Sequence, residues 1–178
     1  MRALLFLALG CAVAAAALGC GGPSGADDPG RTATRSGRVE YAVDGDTLRV
    51  RLDGGELLYV RLVGIDTPED VRPESPVECG GLTAAASLNR LAPEGAAVRL
   101  RLDSVADEYD RYGRLLAHAF VGGRQLEPAQ LRRGWANVYR FEGQRFDGLG
   151  RFRAAESAAR RSGRGVWGLC GGDFHSSG

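Results

Sequence analysis

Between residues 43 and 69 the chain reads VDGDTLRVRLDGGELLYVRLVGIDTPE, and Asp44, Asp46, Arg61, Asp66 and Glu69 fall at or near the ends of its three apolar runs. These are the groups that phosphodiester cleavage requires. A hard divalent cation takes several oxygen ligands, which Asp46 and Asp66 can supply. A water that must be oriented and relieved of a proton needs a carboxylate, a role open to Glu69. Negative charge growing on a phosphate suits guanidinium groups with paired donors. Arg61 is one such group, and a second lies in Asp110-Arg111-Tyr112-Gly113-Arg114. Spacing along the chain does not make these groups converge; the elements that carry them must.

Residues 38–43 and 47–52 read as strands joined at Asp44-Gly45-Asp46, where the Asp-Gly pair marks a tight turn. Asp53-Gly54-Gly55 turns the chain into a third strand over 57–65. Pro68 ends it, because it lacks a backbone donor and biases Thr67 toward extended geometry. A polar, Pro-rich loop follows to Val77. The spacing of Ala84, Leu88 and Leu91 predicts a helix over 82–91. Strands are expected at 96–102 and 115–121, with a charged loop at 105–111 between them. A helix over 125–132 stops at Gly134, residues 135–141 are extended, and a helix over 150–162 places Phe152, Ala155 and Ala159 on its apolar side. About five strands with three helices fit a small Greek-key barrel with helices packed on it, an α+β architecture. His118 reads as a strand residue without a catalytic role, and Trp135 and Trp167 as core.

The chain has 178 residues, 44% hydrophobic and 25% charged, the balance of one globular domain with extensions. No repeat of a length that builds solenoids is visible. All 23 Lys-plus-Arg positions are Arg, and the formal net charge of +1 conceals an asymmetry. Residues 20–110 carry 10 Arg against 17 acids, whereas residues 111–170 carry 12 Arg against 4 acids. A basic half beside an acidic pocket suits a polyanion held at a metal-loaded site.

Residues 1–19 form a targeting segment: Met1-Arg2 precedes a nearly unbroken apolar run that is too short for a comfortable membrane span. It ends in Ala17-Leu18-Gly19-Cys20, which resembles the lipobox of bacterial lipoproteins with Ala17 where Leu is preferred. Cys20 is the expected lipidation site, and simple cleavage of the leader is the alternative; both export the chain, to the membrane surface or to the medium. Residues 20–37 are a polar tether. With Cys11 removed and Cys20 assigned to lipid, Cys79 and Cys170 remain, and one leftover pair in an exported chain is most simply a disulfide. Such a bridge, closing about ninety residues, contributes roughly 2–4 kcal/mol.

The motifs VDGDT (43–47), RLVGIDTPE (61–69) and DRYGRLLA (110–117), together with LRRGWA (131–136) and GVWG (165–168), resemble those of the staphylococcal nuclease family. Their order and separations carry the resemblance, which covers residues 38–170 and leaves 171–178 as a disordered tail. It implies an OB-fold barrel and calcium-dependent hydrolysis of DNA and RNA to 3′-phosphate ends, with single-stranded or denatured substrate favoured and a monomeric chain. It implies further that Asp46, Asp66 and the Thr67 carbonyl hold Ca2+, with Asp44 behind them. By the same resemblance, Glu69 assists the water and Arg61 and Arg114 clamp the phosphate. Arg111, Tyr112 and Tyr139 then contact the nucleotide. The rival expectation is a non-catalytic OB module that binds single strands or a surface partner. Members of that kind lose acidic or arginine positions that this chain keeps.

Overall fold

The computed structural model describes residues 33–70 and 76–176. The targeting segment, Cys20 and most of the tether lie outside them. Among the described residues eight strands and four helices follow in chain order: β1 (Thr34–Ala42), β2 (Thr47–Leu52), β3 (Leu57–Leu62), β4 (Ile65–Asp66), α1 (Gly81–Leu91), β5 (Ala97–Leu102), β6 (Leu115–Val121), β7 (Arg124–Gln125), α2 (Leu126–Arg133), β8 (Asn137–Val138), α3 (Leu149–Arg161) and α4 (Val166–Leu169). A 3-10 turn at Phe141–Gly143 lies between β8 and α3.

The main sheet runs β3-β2-β1-β5-β6-β7 with antiparallel neighbours, and a parallel pairing of β3 with β6 closes five strands into a mixed barrel. Alternation decides which residues fill it. Leu48, Val50, Val60, Leu62, Leu100 and Leu115 are wholly buried, and Arg51 and Arg99 beside them are exposed. Helices α1 and α2 pack on this barrel through Leu88, Leu126 and Leu131, and α3 packs on α2 with Phe152 beside His118 of β6. This is the OB-type α+β fold expected from the sequence. Among the described residues no helix is long and apolar enough to cross a membrane.

The strands at 47–52 and 115–121 have the boundaries expected from the sequence. The expected strand over 57–65 is divided. Arg61 Nη1 donates to the carbonyls of Leu62 and Ile65, which folds the backbone around the guanidinium and sends β4 to pair with β8 (Ile65 with Val138, Asp66 with Asn137). Residues 135–141 are therefore extended only at 137–138. Trp135 and Trp167 are half-buried rather than core: Trp135 lies over Gly80, and Trp167 packs edge-on against Phe174 at 5.0 Å between ring centroids.

Near both ends of the described residues the structure differs from the expected boundaries. β1 begins inside the expected tether, because residues 34–38 pair with β5. Residues 171–176 are packed rather than loose. Cys79 and Cys170 are bonded at S–S 2.07 Å, Cys79 N–H donates to the Ser176 carbonyl at 2.8 Å, and Phe174 is buried.

His118 is not a routine strand residue. It is fully buried, its Nδ1 2.7 Å from Glu127 Oε1 and its Nε2 3.0 Å from Asp103 Oδ2. These contacts tie β6 to α2 and to the end of β5. Asp103, His118 and Asp147 also cluster closely enough to suggest a metal site, but their atoms are already engaged. Asp103 accepts from the backbone N–H groups of Val105, Ala106 and Asp147, and Asp147 accepts from Arg101 and Ser104. The cluster is a buried charge network.

Candidate active site

The turn from β1 to β2 places Asp44 and Asp46. Asp44 Oδ1 accepts from Asp46 N–H at 2.9 Å, a local bond that fixes the bend. Gly45 sits so tightly that an added Cβ would meet Thr67 Oγ1 at 2.7 Å, so the turn is pressed onto the segment carrying Asp66 and Thr67. From the other side Gln130 of α2, wholly buried, donates to the Gly45 carbonyl at 2.8 Å and accepts from Ser87 at 2.6 Å. Nothing local in the sequence around Gln130 announces this anchor.

Asp46 is buried and Asp66 partly exposed. Thr47 and Thr67 hydroxyls each donate to Asp46 at 3.1 Å. Between the two carboxylates lies Arg61, with Nε 3.1 Å from Asp46 Oδ1 and Nη2 3.0 Å from Asp66 Oδ1. Burial works against the Arg61 charge, but Asp46, Asp66, Asp44 and Glu69 outweigh it and raise its pKa. Burial and the charge of Asp46 push Asp44 up to about 7. Asp66 is raised too, chiefly by burial, with Asp46 adding and Arg61 opposing. Three carboxylates thus share one buried guanidinium, an excess of negative charge that a cation would relieve. The oxygen-rich donor set of Asp46, Asp66 and the Thr67 carbonyl suits a hard divalent ion.

Glu69 follows Pro68 and is held through its backbone. Its N–H donates to Glu78 Oε2 at 2.8 Å, and its carbonyl accepts from Glu78 N–H at 2.9 Å. The start of α1 presses against it. A Cβ on Gly81 would stand 2.6 Å from the Glu69 carbonyl, so only glycine fits there. The charge of Glu69 acts on both Arg61 and Asp66.

Arg114 reaches the same end of the barrel through the closing pair, in which Val60 pairs with Leu115 and Arg61 with Leu116. Asp110 organises the preceding turn, accepting from the N–H groups of Tyr112 and Arg114 and from Arg114 Nε at 2.7 Å. In this structure the Arg114 guanidinium is paired with Asp110. Tyr112 is 68% exposed, with Arg111 4.8 Å and Arg114 5.5 Å over its ring. Tyr139 is exposed beyond β8, its N–H donating to the Gly64 carbonyl. His175, which no motif in the sequence marks, is brought by the packed C-terminal segment 3.3 Å from Asp66 Oδ2 and 3.2 Å from Glu78 Oε2. A concavity of about 300 Å3 lined by Arg38, Asp53, Arg99 and Phe120 contains none of these residues.

Fold and site together define an OB-type barrel with a carboxylate and guanidinium centre at the end of its closing strands. Residues 59–168 match the model of the staphylococcal nuclease homologue family, and the chain belongs to that family. It is 32% identical over 133 residues to the endonuclease YncB of Bacillus subtilis, covering 75% of this chain and 62% of that protein. It is 33% identical over 129 residues to the SPbeta prophage-derived endonuclease YokF of the same organism, covering 72% and 43%. It is 30% identical over 130 residues to the thermonuclease of Staphylococcus hyicus, covering 73% and 74%. The chain thus spans less than two thirds of the first two of these relatives.

Proposed function

We propose that the protein is a calcium-dependent endonuclease that hydrolyses DNA and RNA and leaves 3′-phosphate ends. The observation that carries the reading is the Arg61 guanidinium held between Asp46 and Asp66, 3.1 and 3.0 Å from their nearest oxygens. The relatives named as endonucleases and thermonuclease support the reaction class.

Asp46, Asp66 and the Thr67 carbonyl would hold the ion, which supplies Lewis-acid stabilisation of a bound phosphate. Glu69 orients a water and takes its proton as the water attacks phosphorus in line with the 5′ oxygen. Arg61 and Arg114 donate to the phosphate oxygens as their charge grows. Arg114 exchanges its bond to Asp110 for that contact when substrate arrives. Arg111, Tyr112 and Tyr139 border the nucleotide.

We infer that the chain is exported and acts as a monomer, anchored by lipid on Cys20 or released after cleavage. The Cys79–Cys170 disulfide supports an oxidising compartment, and mass analysis of the mature N-terminus decides between lipid and free ends. End-group analysis of the digestion products tests the reaction itself. Release of 3′-phosphates is expected, and 5′-phosphate products would overturn the assignment.

A further inference from the structure

The outer face of the barrel carries a feature that the reaction centre does not use. In the β1–β2 pairing Val39 stands opposite Val50 and Tyr41 opposite Arg49, so β1 has one extra residue, Glu40, at this point. Val39 and Val50 are both buried. In a regular strand Tyr41, two residues on, would follow Val39 into the core. The bulge re-aims it outward instead. There it meets Arg49, which in turn stands opposite Tyr59 of β3.

Tyr41, Arg49 and Tyr59 therefore form one row across three strands. The Arg49 guanidinium lies 4.0 Å over the Tyr59 ring, and interaction with the Tyr59 hydroxyl raises the pKa of the Tyr41 phenol. Tyr41 is 49% exposed and Tyr59 42%. The row is continuous with the reaction centre: Tyr59 and Arg61 share the outer face of β3 with inward Val60 between them, about 7 Å apart along the strand. The adjoining row is Thr47 opposite Arg61, next to Asp46.

We propose that this row is a binding subsite for the unpaired part of a nucleic-acid strand that extends past the point of cleavage. Exposed aromatic rings stack on bases of any sequence, and a guanidinium beside them attracts the adjoining phosphate. Bases in a duplex have their faces covered, so the subsite selects single-stranded or denatured nucleic acid. The proposal rests on the nuclease reading and adds to it how the strand is held.

The test is the affinity of fluorescent oligonucleotides for the full chain, measured by anisotropy in calcium chelator so that nothing is cut. A strand of about twenty nucleotides exceeds the roughly 4–16 nucleotides an OB-type surface covers, and one of about three falls below it. Combining Tyr41→Ala and Tyr59→Ala weakens the long strand about fivefold or more, the loss expected for one base stack, and leaves the short strand unchanged. Tyr41→Phe with Tyr59→Phe keeps the long-strand affinity, because the rings remain. Wild-type affinity of the double alanine variant for the long strand overturns the proposal, as does an equal loss for both lengths. So does a change in self-association without a change in strand affinity. Because no cleavage is read, absence of hydrolysis in a separate assay would remove the nuclease reading and leave this result standing.

Discussion

Arg61 Nε lies 3.1 Å from Asp46 Oδ1, while the neighbouring Leu62 N–H donates to the Asp46 carbonyl at 2.9 Å. The pairing of β2 with β3 thus delivers a cation and an anion to one point, by side chain and backbone together. Removing the cation leaves Asp46 and Asp66 partly desolvated without their partner. Arg61→Ala is expected to lose about 3 kcal/mol of stability and nearly all cleavage. Arg61→Lys restores part of the stability by returning a positive charge but not the turnover, because an ammonium lacks the paired, planar donors that clamp a phosphate. Thermal unfolding and kcat of the two variants check this, and a cleaving Arg61→Ala variant would contradict the role.

Glu69 and Arg114 border the site, each held by a backbone bond, to Glu78 and Asp110, that survives replacement of its side chain, and the Arg114 guanidinium adds a partly exposed pair with Asp110. Their substitution is therefore expected to separate turnover from folding. Glu69→Gln should reduce kcat by about 10²–10⁴-fold and Arg114→Ala by about 10²–10³-fold, each with a Tm close to wild type. Steady-state kinetics beside a melting curve measures both quantities, and near-wild-type turnover in either variant contradicts its assignment.

Gln130 contributes at a distance, holding the Gly45 carbonyl and the α1 backbone from α2. Gln130→Leu removes the side-chain donor to the Gly45 carbonyl and the acceptor of the Ser87 hydroxyl, at about 1–3 kcal/mol, and loosens the turn that carries Asp46. Calcium affinity by calorimetry should fall along with stability. A variant that loses stability but binds calcium like wild type would limit Gln130 to the core.

His118 makes stability depend on pH. Burial opposes its charge, but hydrogen bonds to Asp103 and Glu127 outweigh burial and Arg101 and raise its pKa from 6.5 to about 9. The folded value lies above the unfolded one, so its stabilising contribution is complete below about pH 6.5 and is lost as pH rises through about 9. The full effect is of order 3 kcal/mol. Unfolding followed from neutral to alkaline pH should show a falling Tm in the wild type and a flatter profile in His118→Asn. Parallel profiles would remove the histidine as the cause.

The parts legible in the sequence are those governed by neighbours. Strands at 47–52 and 97–102 alternate apolar residues with Arg, the Asp-Gly pair marks the first turn, and Gly134 caps α2 with a φ of 78°. Pairing the two remaining cysteines needed only their count. What stayed hidden depends on groups far apart in the chain. Gln130 lies 85 residues from the carbonyl it holds, and His175 reaches Asp66 only because the disulfide and Phe174 fix the C-terminal segment. His118 gives no local sign of its two buried carboxylate partners. The split of the third strand arises from Arg61 itself, whose guanidinium takes backbone carbonyls that a longer strand would have used.

The most direct test is cleavage of heat-denatured DNA by the purified chain, its disulfide intact, in millimolar calcium and in parallel with a calcium chelator. Degradation that requires calcium and returns when calcium is restored is the predicted result. Cleavage that survives chelation would contradict the metal role of Asp46 and Asp66, and strand binding without cleavage at any calcium level would contradict the enzyme.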